Sequence, residues 1–161
     1  MKRIWIFIAI FFVSSQMKGQ QDNQLNKILT ESIFLYLEYK TDLHSRVCKN
    51  CGAYTLPYVC KDGLPSDFPY DSLKNISSFT LNNIEGYPNS FKKILNKGIS
   101  AWFVGIKLTN NQIVITISGR GVKRMKKNHI GISVGDWGIF TYEYFCDKQE
   151  WELKETKYGG I

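Results

Sequence analysis

The stretch that decides the fold is AWFVGIKLTNNQIVITISG, residues 101–119. On both sides of Asn110 and Asn111, apolar residues recur at every second position, which is typical of half-buried strands. The two asparagines accept the positive φ values that a tight hairpin turn requires. A two-residue turn sets Leu108 opposite Ile113, and the alternating apolar side chains of both strands then share one face. This stretch therefore predicts an antiparallel β-hairpin with one buried face.

The alternation continues in the chain that follows. Aliphatic residues at positions 130, 132 and 134 and aromatic residues at 140, 142 and 144 indicate two more strands. A three-residue loop at Gly135, Asp136 and Trp137 would set the aliphatic side chains opposite the aromatic ones. A turn at residues 147–150 would then return the chain through Trp151 and Leu153. The C-terminal part of the chain therefore predicts a four- to five-stranded antiparallel sheet.

The chain before this sheet predicts a helix and then an irregular region. From Asn23 to Asp42 the apolar residues recur at spacings of three and four, which predicts an amphipathic helix. Residues 46–87 contain three of the four prolines and three of the four cysteines, a composition typical of irregular structure, in which residues 54–59 and 77–81 are the candidates for short strands. A short helix is expected at residues 89–97, ended by Gly98. The fold class expected is α+β, with the N-terminal amphipathic helix packed on the apolar face of the sheet.

The first twenty residues have the pattern of an export signal. Lys2 and Arg3 precede an unbroken apolar run from Ile4 to Val13. This run suits a signal peptide and is well short of the ~20 residues that a transmembrane helix needs. We expect residues 1–20 to be cleaved as a signal peptide. Residues 21–161 would remain as a single exported α+β domain of a bacterial protein, periplasmic or secreted, without a transmembrane span.

An even number of cysteines in an exported chain predicts a disulfide-stapled middle region. Two disulfides would tie the last cysteine back to the segment that holds the first three, and the sequence leaves the pairing open. With His44, the same thiols could instead form a zinc site, or the first two could form a redox pair. The oxidising compartment and the position of the pair after a helix favour the disulfides, so we expect no metal and no cofactor. The disulfide candidates are Cys48, Cys51, Cys60 and Cys146.

The positive charge is concentrated in one short segment. The net charge of +7 falls to +4 when Lys2, Arg3 and Lys18 are removed with the signal, while residues 120–127 alone contain five cations. Such a cluster can bind an acidic glycan, an anionic lipid surface or an acidic protein, or it can be a solvated turn. Nucleic acid is not an expected partner of an exported protein. A nearby tryptophan between glycines can stack on a sugar ring or be buried in the core. The candidate binding residues are Arg120, Lys123, Arg124, Lys126, Lys127 and Trp137.

The sequence offers little for catalysis. The chain has two histidines, His44 and His129, and lacks the nucleophile-elbow, zinc-protease and phosphate-loop motifs. No catalytic residue is therefore assigned. We expect a non-catalytic binding or interaction protein, either an inhibitor or immunity-type partner of a protein, or a binder of an envelope or anionic polysaccharide. The alternative is a hydrolase or isomerase with a cleft between helix and sheet and no recognisable motif.

Overall fold

The computed structural model of the protein describes residues 2–48, 51–82, 84–126 and 129–160. Within them the chain forms two α-helices, seven strands and three short 3-10 helices at Lys61–Gly63, Tyr70–Leu73 and Ile84–Gly86. The helices are α1 (Lys2–Val47) and α2 (Asn89–Lys97). The strands are β1 (Tyr58–Cys60), β2 (Ser78–Phe79), β3 (Ile99–Thr109), β4 (Gln112–Lys126), β5 (His129–Ile132), β6 (Trp137–Phe145) and β7 (Glu150–Gly159).

The seven strands form one mostly antiparallel sheet in the order β2-β1-β3-β4-β6-β7, with β5 paired to the far end of β4. The α+β fold class is therefore confirmed, while the expected count of four to five strands was too low. The strands beyond that count are β1 and β2, which run parallel to their neighbours and lie at the two candidate positions within the region predicted to be irregular. Strands of two and three residues are too short to show a period of two in the sequence.

The hairpin of β3 and β4 has the predicted register. Leu108 pairs with Ile113 and Val104 pairs with Ile117. Asn110 in the turn has a φ of +50°, the positive value that asparagine tolerates. The turn chemistry and the alternation both specify this register, and for this reason it could be derived from the sequence.

The predicted pairing of the third and fourth strands is wrong. β5 does not pair with β6, and both strands pair with β4 instead. β4 has fifteen residues, so its first half can accept β6 and its second half β5. The aromatic residues still lie opposite aliphatic ones, but the partners of Phe140 and Tyr142 are Ile115 and Ile113 of β4.

The main core lies between α1 and one face of the sheet, which we call the inner face. The strand residues of this face point toward the helix because alternate positions share one side of a strand. Burying one large apolar side chain contributes about 1.5 to 3 kcal/mol. This core contains Ile28, Leu29, Ile33 and Tyr36 of α1 and Trp102, Val104, Ile113, Ile115, Ile117, Phe140 and Tyr142 of the sheet.

A second, smaller core lies on the opposite face of the sheet, which we call the outer face. There α2 contributes the fully buried Leu95, which packs with Ala101 of β3 and Val122 of β4. Gly98 ends the helix with a φ of +100°, which other residues rarely adopt. The helix therefore covers the end of the outer face next to β1 and the start of β3.

The disulfide prediction is corrected from two bridges to one among the described residues. Cys48 is joined to Cys51, whereas Cys60 is a buried free thiol and Cys146 an exposed one. Cys60 lies on β1 and Cys146 follows β6, with β3 and β4 between those strands. Three strand spacings amount to about 14 Å, twice the Cα separation that a disulfide can span.

The predicted signal peptide, residues 1–20, covers the first part of α1. Met1 and the side chains of this stretch lie outside the described residues, so cleavage stays a prediction. In the part of the chain that the structure describes, no helix is long and apolar enough to cross a membrane.

Candidate functional site

Strand alternation divides the predicted basic cluster between the two faces of the sheet. Odd-numbered residues of β4, such as Ile117, pack against α1 on the inner face. Arg120 therefore points to the outer face, and so does Trp137, whose ladder partner is Ser118. Lys123 lies on the inner side, three residues further along β4. The structure thus places Arg120 and Trp137 on one face of the sheet and Lys123 on the other.

Trp137 lies flat over a glycine on the edge strand. Its ladder partner is Gly159 of β7. A Cβ atom at Gly159 would lie 2.7 Å from Cε2 and 3.0 Å from Cη2 of the indole, so the ring occupies the space of the missing side chain. The tryptophan nevertheless keeps 37% of its surface exposed. One face of the indole therefore rests on the sheet, and part of the side chain is open to solvent.

Arg120 lies on the same face of the sheet as this indole. Its backbone is one diagonal step from Trp137 across the ladder, and such residues have Cα atoms about 7 to 8 Å apart. The guanidinium carbon lies 5.6 Å from the centre of the Phe103 ring of β3, so the cation lies over the outer face on the side of β4 away from β6. Among the described residues no salt bridge involves Arg120, so its charge is not neutralised by a carboxylate.

The surface around these two side chains is only partly covered. The residues of β4 and β6 that share this face are half-buried although both strands lie in the interior of the sheet: Thr116, Ser118, Ile139 and Thr141. This half of the outer face, which we call the platform, therefore presents three hydroxyl groups that are partly open to solvent.

The loop that leads into Trp137 is anchored to α1 through its neighbour Asp136. Tyr36 donates its hydroxyl hydrogen to Oδ1 of Asp136 at 2.9 Å, and Lys40 forms an ion pair with Oδ2. The backbone N–H of Gly119 donates to the carbonyl of Asp136 at 2.8 Å. Asp136 thus ties the start of β6 to both the helix and β4.

The remaining members of the basic cluster have other positions. Arg124 donates to Glu85 at 3.0 Å and its side chain is only 18% exposed, so its charge is used within the fold. Lys123 is exposed and lines a groove on the inner side of the β4 and β5 hairpin. Lys127 and the side chain of Lys126 lie outside the described residues.

The thiols and His44 do not form a metal site in the described chain. Two of the four predicted sulfur atoms are joined in the Cys48 to Cys51 disulfide. Cys60 is buried on β1, and burial raises the pKa of its thiol. The Nε2 atom of His44 lies 3.0 Å from the carbonyl oxygen of Gly52. Among the described residues no three His, Cys, Asp or Glu side chains converge.

The space between α1 and the sheet, where an enzymatic cleft was the alternative, is filled. Its polar groups are paired with each other: Ser32 donates to the carbonyl of Ile28 at 2.8 Å and lies 3.1 Å from the hydroxyl of Tyr142. Burial raises the pKa of Tyr142 to about 12. These buried groups serve the packing of the helix on the sheet.

Several contributors to the outer-face site were missed from the sequence. Gly159 could be found only with the register of β7, and Phe103 only with that of β3. Asp136 and Lys40 are separated by 96 residues. The glycines on both sides of the Asp136 and Trp137 pair were the one local signal of close packing.

Comparison of the chain with protein-family models, with curated proteins and with solved structures gives no match.

Proposed function

We propose that the protein is an exported, non-catalytic binding protein for an anionic polysaccharide, which it contacts through the outer face of its sheet. Trp137 stacks on a sugar ring, and Arg120 pairs with an acidic group of another sugar of the same polymer. The observation that carries this proposal is the indole laid over Gly159, with the unneutralised guanidinium of Arg120 on the same face of the sheet.

The geometry of the platform suits a glycan. A sugar ring has one apolar face that stacks on an aromatic ring, and its hydroxyls need hydrogen-bond partners around that ring. Thr116, Ser118 and Thr141 supply such partners on the adjacent strands. Because the platform extends over neighbouring strands, it can accept a long polymer, whereas a small molecule would usually need a concave pocket.

The filled core supports a binding function over the enzymatic alternative. A catalytic site needs titratable groups that converge at a substrate-sized space. The interface between α1 and the sheet is instead packed with buried apolar side chains. The net positive charge of the chain also favours approach to an acidic polymer.

The test compares polygalacturonate with the same polymer fully methyl-esterified, which keeps the sugar rings and removes the charges. We expect calorimetry to show binding of the acidic polymer, weaker binding of the esterified one, and loss of affinity with added salt. Trp137→Ala should lower the affinity by roughly thirtyfold, as expected for an aromatic anchor. Arg120→Gln should lower it by roughly threefold, the effect of one exposed charge.

Lys123→Gln is the matched control, because it removes a cation from the same strand on the opposite face. It should leave the affinity for polygalacturonate unchanged. Equal loss of affinity with Arg120→Gln and Lys123→Gln would show that net charge alone drives binding. Unchanged affinity in Trp137→Ala would refute the site.

A further inference from the structure

We propose a second binding site, in the groove on the inner side of the β4 and β5 hairpin, for the alkyl chain of a long-chain carboxylate whose acidic group pairs with Lys123. This site is separate from the glycan platform and does not depend on it. The groove has a volume of about 540 Å³, within the range of small-ligand pockets.

The lining of the groove is apolar with one charge. Glycines form part of its floor, so the backbone is open to close approach there. Among the described residues that line the groove, Lys123 is the only charged one and none is a carboxylate. The lining residues are Gly98, Ile99, Gly121, Val122, Lys123, Met125, Gly131, Ile132 and Ser133.

One large apolar side chain is exposed at this groove. Met125 lies on the same side of β4 as Lys123, and it is 66% exposed. It therefore supplies an apolar contact beside the cation. Lys97, the last residue of α2, is also exposed and directly precedes Gly98 in the lining. The charge at the groove is therefore complementary to an anionic headgroup.

The hydrogen bonding of the floor favours an alkyl chain over a peptide. The N–H of Gly121 donates to Oγ of Ser133 at 3.0 Å, and the N–H of Ser133 donates to the carbonyl of Gly121 at 2.9 Å. Val122 is paired in the ladder on both sides, with Ile99 and with Ile132. A peptide laid on these residues would find its own N–H and C=O groups without partners, which is unfavourable, whereas an alkyl chain needs none.

The test uses laurate as the probe below its micelle concentration and the full chain labelled with ¹³C in its methionine methyl groups. The sequence has three methionines, and Met125→Leu identifies the signal of Met125. We expect laurate to shift this signal with saturation, and acetate, which has the charge without the chain, to leave it in place. Dodecanol, which has the chain without the charge, should bind roughly fivefold more weakly than laurate.

Two variants separate the contributions of charge and space. Lys123→Gln should weaken laurate binding by roughly fivefold, while Arg120→Gln, on the other face of the same strand, should not change it. Gly131→Val should abolish binding, because a Cβ there would already lie 3.2 Å from Cγ of Met125 and the added methyl groups would fill the groove. Circular dichroism melts of each variant identify any loss of folding, and Gly131→Ala replaces the valine variant if it unfolds.

The proposal is overturned if laurate leaves the Met125 signal unmoved, or if Arg120→Gln weakens binding as much as Lys123→Gln does. A shift of that signal by an acidic extended peptide, without one by laurate, would likewise reject the alkyl-chain site. Because the polysaccharide assay responds to Arg120 and the laurate assay to Lys123, failure of one site leaves the other result intact.

Discussion

Asp136→Asn is expected to destabilise the protein by about 2 kcal/mol, because it removes the charge that holds the loop before Trp137 to α1. The ion pair of Asp136 and Lys40 is mostly buried, with side chains 26% and 19% exposed. A hydrogen bond to a charged group contributes about 1.5 to 3 kcal/mol when it is shielded from water. Tyr36 can still donate to the asparagine, while the new amide N–H₂ group faces the ammonium of Lys40.

The assay is thermal unfolding followed by circular dichroism, with urea unfolding as a second measure. For a chain of this size, about 2 kcal/mol corresponds to a fall in Tm of roughly 4 to 8 °C. The double variant with Lys40→Met should be less destabilised than the sum of the single variants, because the two residues interact directly.

The matched control is Asp42→Asn, at a residue of α1, the helix that also carries Lys40. Asp42 pairs with Arg46, but these side chains are 59% and 62% exposed. Solvent screens such a pair, so its loss should change stability by no more than about 0.5 kcal/mol. Equal effects of the two Asp→Asn variants, or an additive double variant, would refute the proposed anchoring of the loop.

Two further predictions concern titration and thiol reactivity. Burial raises the pKa of Tyr54 and Tyr142 to about 12 and raises that of Tyr36 further. The phenols of the unfolded chain ionise near pH 10, whereas the buried ones stay neutral in the folded chain. The stability that these neutral side chains contribute is therefore complete below about pH 10 and is lost as the pH rises toward 12. The phenolate absorbance of these three tyrosines should therefore appear together with unfolding, and their titration near pH 10 in a folded chain would contradict this. A thiol reagent should label the exposed Cys146 at once and the buried Cys60 only after denaturation, whereas mass spectrometry showing both sulfurs in disulfides would disprove the assignment.

The parts of the fold that could be predicted are those specified by neighbours in sequence. The β3 and β4 hairpin follows from alternation and from the Asn110 turn, and both act within a few residues. The predicted pairing of β5 was wrong because β4 is long enough to pair with two strands, β6 along its first half and β5 along its second. The local sequence pattern does not specify that choice. The bridge predicted for Cys146 failed for a related reason, since thiol count says nothing about the distance across a sheet.

The candidate site shows the same division. The sequence identified a cation cluster and a tryptophan as binding residues, but it could not divide that cluster between two surfaces. Strand parity sends Arg120 to the outer face and Lys123 to the inner side, and Glu85 takes up the charge of Arg124. The glycine under Trp137 comes from the last strand of the sheet, 22 positions later in the numbering.

The sequence by itself determined the α+β class, the hairpin register and the residue types from which a binding surface could be built, because alternation and turn propensity are local properties of the chain. Only the tertiary structure decided which of those residues share a surface. Strand order, the length of β4 and the anchoring of Asp136 by α1 join residues far apart in the chain, and those contacts depend on packing that no short segment encodes.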